Sequence, residues 1–240
     1  MDLLFTPIGS FVPSKWSPDR PRSMSTLKAH QSCVYQALFS PHHPDILATC
    51  STDGTMKIFD LRNPAYASGP NSNAFTNPVS AAALTIPASV TELLSLDWNK
   101  YQQFLLASAG VDRLVKTWDC RMVADAPPSS EAVGGVCQFQ IPGHEYAVRK
   151  VQWSPHRADI LATASYDMTC RMCVFVFVLF LTSPDKRYPS WTTNPPPGSS
   201  HLLKIHDPHT EFVAGCSWSL FDAHLLASCG WDGRLFVFPA

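Results

Sequence analysis

Four stretches of the chain share one order of apolar and polar positions: DILATCSTDGTMKIFD (45–60), FLLASAGVDRLVKTWD (104–119), DILATASYDMTCRMCV (159–174) and HLLASCGWDGRLFVFP (224–239). Each opens with about five apolar or small residues, the length of a strand buried on both faces. A short polar turn ending at an Asp follows, and then a second run in which apolar and polar residues alternate, the mark of a strand with one wet face. A third strand precedes each pair, in SCVYQALFS, ELLSLDWNK, YAVRKVQWS and EFVAGCSWS. The pattern predicts an all-β chain built from four copies of one antiparallel unit.

The polar residues repeat at fixed offsets. His30 to Asp53, His144 to Asp167 and His209 to Asp232 are each 23 apart, and Ser89 stands 23 before Asp112. Four residues before each Asp comes a hydroxyl, Thr49, Ser108, Thr163 or Ser228, and six after it comes Phe59, Trp118, Cys173 or Phe238. A buried strand hydroxyl and an indole N–H both need partners, and an imidazole can bridge them to a turn carboxylate. Ser, His and Asp together also suit a hydrolase, but a catalytic triad occurs once, whereas this set recurs in each unit. The recurrence predicts scaffolding, with no enzymatic activity and no cofactor.

These positions resemble the WD-repeat pattern, which implies a β-propeller with four recognisable blades, partial or open. The expected blades lie around 25–62, 84–121, 139–174 and 202–240, after an irregular segment at 1–24. Surface loops are expected at 63–83 and 122–138, where Pro, Ser and Asn accumulate. They stretch the Asp-to-Asp steps to 59, 55 and 65 residues. The run CRMCVFVFVLFLTSP (170–184) is too short to cross a bilayer as a helix, which takes about 20 apolar residues. It begins where the third unit should deliver Trp-Asp, so an atypical insertion is expected at about 173–200.

Composition narrows the remaining chemistry. With 18 basic against 19 acidic residues and a net charge of −1, the chain carries no electrostatic footprint for nucleic acid. The start MDLLFTPIGSF lacks the basic and apolar regions of a secretory signal, so the cytosol is the expected compartment. The eight cysteines fall mostly within apolar runs and are expected to be reduced and buried. Cys170 and Cys173, with His206 and His209, invite a zinc reading, but a single close cysteine pair is a weak signal and no metal is expected.

Longer strings carry a more specific resemblance: YQALFSPHHPDILATCSTDGTMKIFDLR (35–62), DWNKYQQFLLASAGVDRLVKTWDCR (97–121), GHEYAVRKVQWSPHRADILATASYDMT (143–169) and HTEFVAGCSWSL (209–220). They are similar to the peroxin-7 receptors for type 2 peroxisomal targeting signals. The resemblance implies a cytosolic receptor that binds an N-terminal signal on cargo enzymes and, with a co-receptor and a docking complex, cycles to the peroxisome. Such a signal is an amphipathic basic helix, which calls for an apolar floor flanked by carboxylates. Residues three and five after the His position, and the one before Asp, are expected to face it. Tyr35, Leu94, Tyr166, Phe212 and Trp231 supply the floor, with Arg149 facing the same site; Glu92 is expected to pair with a basic residue of the signal, and Glu145 and Glu211 are nearby candidates. A rival reading rests on Trp118-Asp119-Cys120-Arg121, a pattern found in WD-repeat substrate receptors of cullin-based ubiquitin ligases; a generic interaction scaffold is a further alternative.

Overall fold

The computed structural model describes residues 14–15, 25–27, 30–62, 82–123, 133–174, 178–180, 190–192 and 201–240. Two short strands come first, β1 (Ser14–Lys15) and β2 (Ser25–Thr26), and pair with each other. Blade 1 consists of β3 (Val34–Phe39), β4 (Ile46–Ser51), β5 (Thr55–Asp60) and β6 (Leu84–Pro87). Blade 2 consists of β7 (Leu93–Trp98), β8 (Leu105–Gly110), β9 (Val115–Val123) and β10 (Gly134–Ile141). Blade 3 is formed by β11 (Val148–Trp153), β12 (Ile160–Ser165) and β13 (Cys170–Val174). A separate pair, β14 (Val178–Phe180) and β15 (Ser190–Thr192), intervenes before the fourth strand of that blade, β16 (Leu202–His206). Blade 4 is β17 (Val213–Trp218), β18 (Leu225–Gly230) and β19 (Leu235–Pro239).

Every strand pair in the blades is antiparallel, and the four sheets form a β-propeller, with β3 packed on β7, β7 on β11 and β11 on β17. The core lies between the sheets. Met56, Ile58 and Ile86 on the back of blade 1 meet Leu96, Trp98 and Leu106 on the front of blade 2. Val115 and Ile141 meet Val151, Trp153 and Leu161 at the next junction, and Ala164 and Met172 meet Cys216, Trp218 and Leu226 at the last. Second strands contribute small residues to these back faces and third strands larger ones, so neighbouring sheets interlock.

Polar stitches cross the same junctions. Gln36 Oε1 accepts from Ser95 Oγ at 2.9 Å and from the Leu96 N–H at 3.2 Å, while Asp97 Oδ2 accepts the Trp153 N–H at 2.8 Å. His42 Nε2 donates to the Asn99 carbonyl at 3.0 Å, and His156 Nε2 repeats the contact on Ser219 at 2.8 Å. Burial raises the Asp97 carboxyl above its usual range despite the pull of Lys100.

Three boundaries differ from expectation. The loop expected at 122–138 is partly strand, because β9 continues to Val123 and β10 starts at Gly134, where Gly135 at φ 85° allows a bulged start. The segment expected to be irregular, 1–24, contains the strand residues Ser14 and Lys15. Cys173 and Val174, given both to the third blade (139–174) and to the start of the insertion (about 173–200), belong to β13 of the blade: Cys173 pairs with Leu202, is buried and occupies the place where Trp118 stands in blade 2. The rest of the apolar run lies outside the described residues except for the pairing of Val178–Phe180 with Ser190–Thr192.

Candidate functional site

One end of the propeller is organised by the His–Asp pairs. In blade 3, His144 Nδ1 lies 2.8 Å from Asp167 Oδ2 and its Nε2 lies 2.7 Å from Thr163 Oγ1. Blade 1 repeats this with His30, Asp53 and Thr49 at 2.9 and 2.7 Å, and blade 4 with His209, Asp232 and Ser228 at 2.9 Å for both contacts. Asp53 and Asp167 each close the turn by accepting from the N–H and hydroxyl of the Thr two residues on. Burial pulls both carboxyls upward, but the hydrogen bonds from His and Thr outweigh it and hold them well below the usual carboxylate range.

Blade 2 uses different atoms for the same turn. Ser89 Oγ donates to Asp112 Oδ2 at 3.1 Å, and Lys116 Nζ reaches the same oxygen at 2.6 Å, filling in for the imidazole. Trp118 Nε1 donates to Ser108 Oγ at 2.9 Å. The indole is absent from the third unit, where the smaller Cys173 lies in the junction with blade 2.

These turns and the segments leading into each first strand are joined by one repeated backbone bond. Thr52 N–H donates to Cys33, Val111 to Glu92, Tyr166 to Ala147 and Trp231 to Phe212, at 2.9–3.0 Å. Residues three after the His position and one before Asp are thereby neighbours in every blade. Tyr166, Phe212 and Trp231 form a continuous aromatic cluster across blades 3 and 4, with ring centroids 4.9, 5.3 and 6.1 Å apart. Trp231 is 66% exposed, which is unusual for so large an apolar ring. Across the same end, the Arg149 guanidinium lies over the Tyr35 ring at 5.3 Å and donates to the Leu94 carbonyl at 3.3 Å.

Glu92, Glu145 and Glu211 are exposed on the lead-in segments. The end therefore combines aromatic surface with separated carboxylates. Leu94 does not belong to this surface: it is 4% exposed, because all of β7 is covered by its neighbours, and only its carbonyl is used. Tyr146, exposed beside Glu145, and Met168, exposed in the blade 3 turn, were not expected there. Their neighbours in sequence, Glu145 and Asp167, were the signal that could have found them.

At the opposite end an open cleft of about 430 Å³ is lined by Tyr101, Phe104, Asp119, Arg121 and Gln138. Arg121 is folded back on Asp119, which accepts from both its Nε and its Nη2, and it lies 5.9 Å over the Phe104 ring. Cys170 and Cys173 face opposite junctions, the first toward blade 4 and the second toward blade 2, so the pair cannot close on one metal ion. Among the described residues no helix is long and apolar enough to cross a membrane.

The family model for the WD domain, G-beta repeat, matches residues 21–60, 84–119, 135–173 and 200–238. The chain is similar to the peroxisomal targeting signal 2 receptor of Saccharomyces cerevisiae, at 36% identity over 90% of this chain and 55% of that protein. It is similar at 36% to the protein of the same name in Komagataella phaffii, over 87% of this chain and 50% of that one. The Schizosaccharomyces pombe protein of that name is 27% identical over 94% of this chain and 58% of its own length. The chain spans about half the length of the curated relatives it matches.

Proposed function

The chain belongs to the WD domain, G-beta repeat family, and from that premise we propose that it acts as a receptor for the type 2 peroxisomal targeting signal of cargo enzymes. The observation that carries this reading is the likeness to three fungal proteins of that name along about nine tenths of the chain. The chemistry of the His–Asp end supports it. An amphipathic helix lays its apolar side on the Tyr166, Phe212 and Trp231 rings, while its basic residues reach Glu92, Glu145 or Glu211. Arg149 on Tyr35 bounds the apolar surface and discourages a second cationic patch from landing there.

In this reading the chain is not an enzyme. It holds a folded cargo by its signal in the cytosol and, with a co-receptor, hands it to a docking complex for import into the peroxisome. The ligase-adaptor reading depends on Arg121 being available to a partner, and that guanidinium is held by Asp119.

Pull-down with an immobilised type 2 signal peptide tests the proposal. The chain is retained by the native peptide and released when the basic residues of the peptide are changed to Ala. A ligase adaptor passes through both columns alike.

A further inference from the structure

Three residues ahead of the His or Ser that opens each turn network, the chain carries Leu27, Ile86, Ile141 and His206. Leu27, Ile86 and Ile141 are buried aliphatic side chains, each packed into a hydrophobic cluster. The fourth member of the set is a titratable ring. His206, at the end of β16, stacks on Phe238 of β19 with centroids 3.5 Å apart and planes 12° from parallel. It also meets Phe236 at 5.6 Å and a steep angle of 72°. Phe238 belongs to the core between blades 3 and 4, together with Met172, Cys216 and Trp218. An imidazole thus does the packing at this junction that an isoleucine does at the two before it.

The site suits the neutral ring. Nε2 of His206 is closed off from solvent and has no hydrogen-bond partner among the described residues. A neutral imidazole can leave that nitrogen without a proton, whereas a protonated one must place an N–H there, and a buried donor with no acceptor is costly. The Phe238 face attracts a cation stacked on it, but it offers no acceptor to an N–H lying in the plane of the imidazole. On its own segment Lys204 opposes a further positive charge and Asp207 favours one, and from the lead-in to blade 4 His209 opposes it. On β13, opposite His206, stands Cys170, whose thiol is pushed well above its ordinary value by its hydrogen bond with Cys216 of β17 and by burial. From β19 come the rings of Phe236 and Phe238. Burial above all, and then His209, hold His206 below the ordinary histidine range.

The same ring is coupled to the aromatic surface. His206 and His209 stand edge to face at 6.4 Å, and both lean on Phe236, His209 at 4.7 Å. His209 Nδ1 lies 2.9 Å from Asp232 Oδ2, and the preceding Trp231 donates its N–H to the Phe212 carbonyl at 2.9 Å. We propose that His206 is a pH-sensitive latch between blades 3 and 4: neutral, it closes the junction, and protonated, it loosens β19 from β16 and with it the turn that holds Trp231 against Phe212. The latch does not depend on what docks there. Because the folded-state pKa of His206 lies below its unfolded one, the stabilisation is complete above the ordinary histidine value of about 6.5 and is lost as pH falls through the folded value.

Urea denaturation of the full chain from about pH 8 to about pH 5, wild type against His206→Ile, tests this. Isoleucine fills the same place in Ile86 and Ile141, so the variant keeps the junction packed. All other titrating groups are common to both chains, and the ratio of the two folding constants isolates position 206. Below about pH 6.5 that ratio is expected to move against the wild type, by up to about tenfold per pH unit where unfolding takes up one proton. The ring signal of His206, followed by NMR in the wild type, is expected to titrate below about 6.5, a readout that does not require the variant to fold. Amide exchange at Trp231, compared between the two chains at about pH 5.5, is expected to be faster in the wild type. Parallel stability profiles, a His206 that titrates at or above its ordinary value, or equal protection of the Trp231 amide each overturn the proposal.

Discussion

His144 and Asp167 sit 2.8 Å apart with both side chains nearly closed off from solvent, and Thr163 takes the other face of the imidazole at 2.7 Å. Removing the ring leaves a buried carboxylate and a buried hydroxyl short of a partner, so His144→Ala should cost about 3 kcal/mol. Ser89→Ala should cost about 1 kcal/mol, because Lys116 still reaches Asp112. Urea midpoints of the two variants check the order.

Acid should unlock the same turns. Asp53 and Asp167 have folded-state pKa values below their unfolded ones, so their stabilisation is complete above the ordinary carboxylate value of about 3.9 and is lost as pH falls through the folded values. Stability measured by urea denaturation from pH 7 down to about 3 should fall steeply at the acid end. Asp167→Asn, which cannot ionise, should be less stable at neutral pH and show a shallower acid decline.

The residue after each turn Asp has a left-handed backbone: Gly54 at φ 79°, Arg113 at 65°, Met168 at 67° and Gly233 at 72°. A Cβ on Gly54 would come within 2.2 Å of the Ser89 carbonyl oxygen in the segment leading to blade 2, whereas one on Gly233 would meet nothing within 4 Å. Gly233→Ala should therefore cost only the conformational strain of about 1–2 kcal/mol. Gly54→Ala adds a backbone clash and should cost clearly more, seen as a larger drop in Tm.

Thiol reactivity should divide by burial. Desolvation pushes Cys50 and Cys120 up to about 12 and Cys173 up to about 11. Under native conditions at neutral pH, iodoacetamide should modify the exposed Cys33 and leave these three untouched until the chain is unfolded. Mass spectrometry of the alkylated peptides gives the order directly.

The blades were legible in the sequence because a buried hydroxyl, imidazole and carboxylate must recur at the same offset wherever one turn geometry recurs. Val34–Phe39, Ile46–Ser51 and Thr55–Asp60 could be read from apolar runs and turn residues alone. Most stitches between blades could not: Ser95 and Asp97 in blade 2 stand where other blades carry different residues, whereas the contacts of His42 and His156 repeat one letter at one offset. β10 was hidden by its Gly-Gly start, which reads as loop until Phe139 and Ile141 are seen to fill a junction. Leu94 was misplaced because it was assigned by its offset of five from Ser89, and β7, flanked by β3 and β11, is buried along its whole length.

The receptor reading places aromatic rings from two blades under one bound helix. Fluorescence anisotropy of a labelled type 2 signal peptide, titrated with the wild-type chain and with Trp231→Ala, Phe212→Ala and Glu92→Ala, is the most direct test. Saturable binding is expected, weakened about tenfold or more by loss of Trp231 or Phe212 and less by loss of Glu92, whose ion pair is solvent-screened. Equal affinity for the native peptide and one stripped of its basic residues, or full binding by Trp231→Ala, would contradict the account.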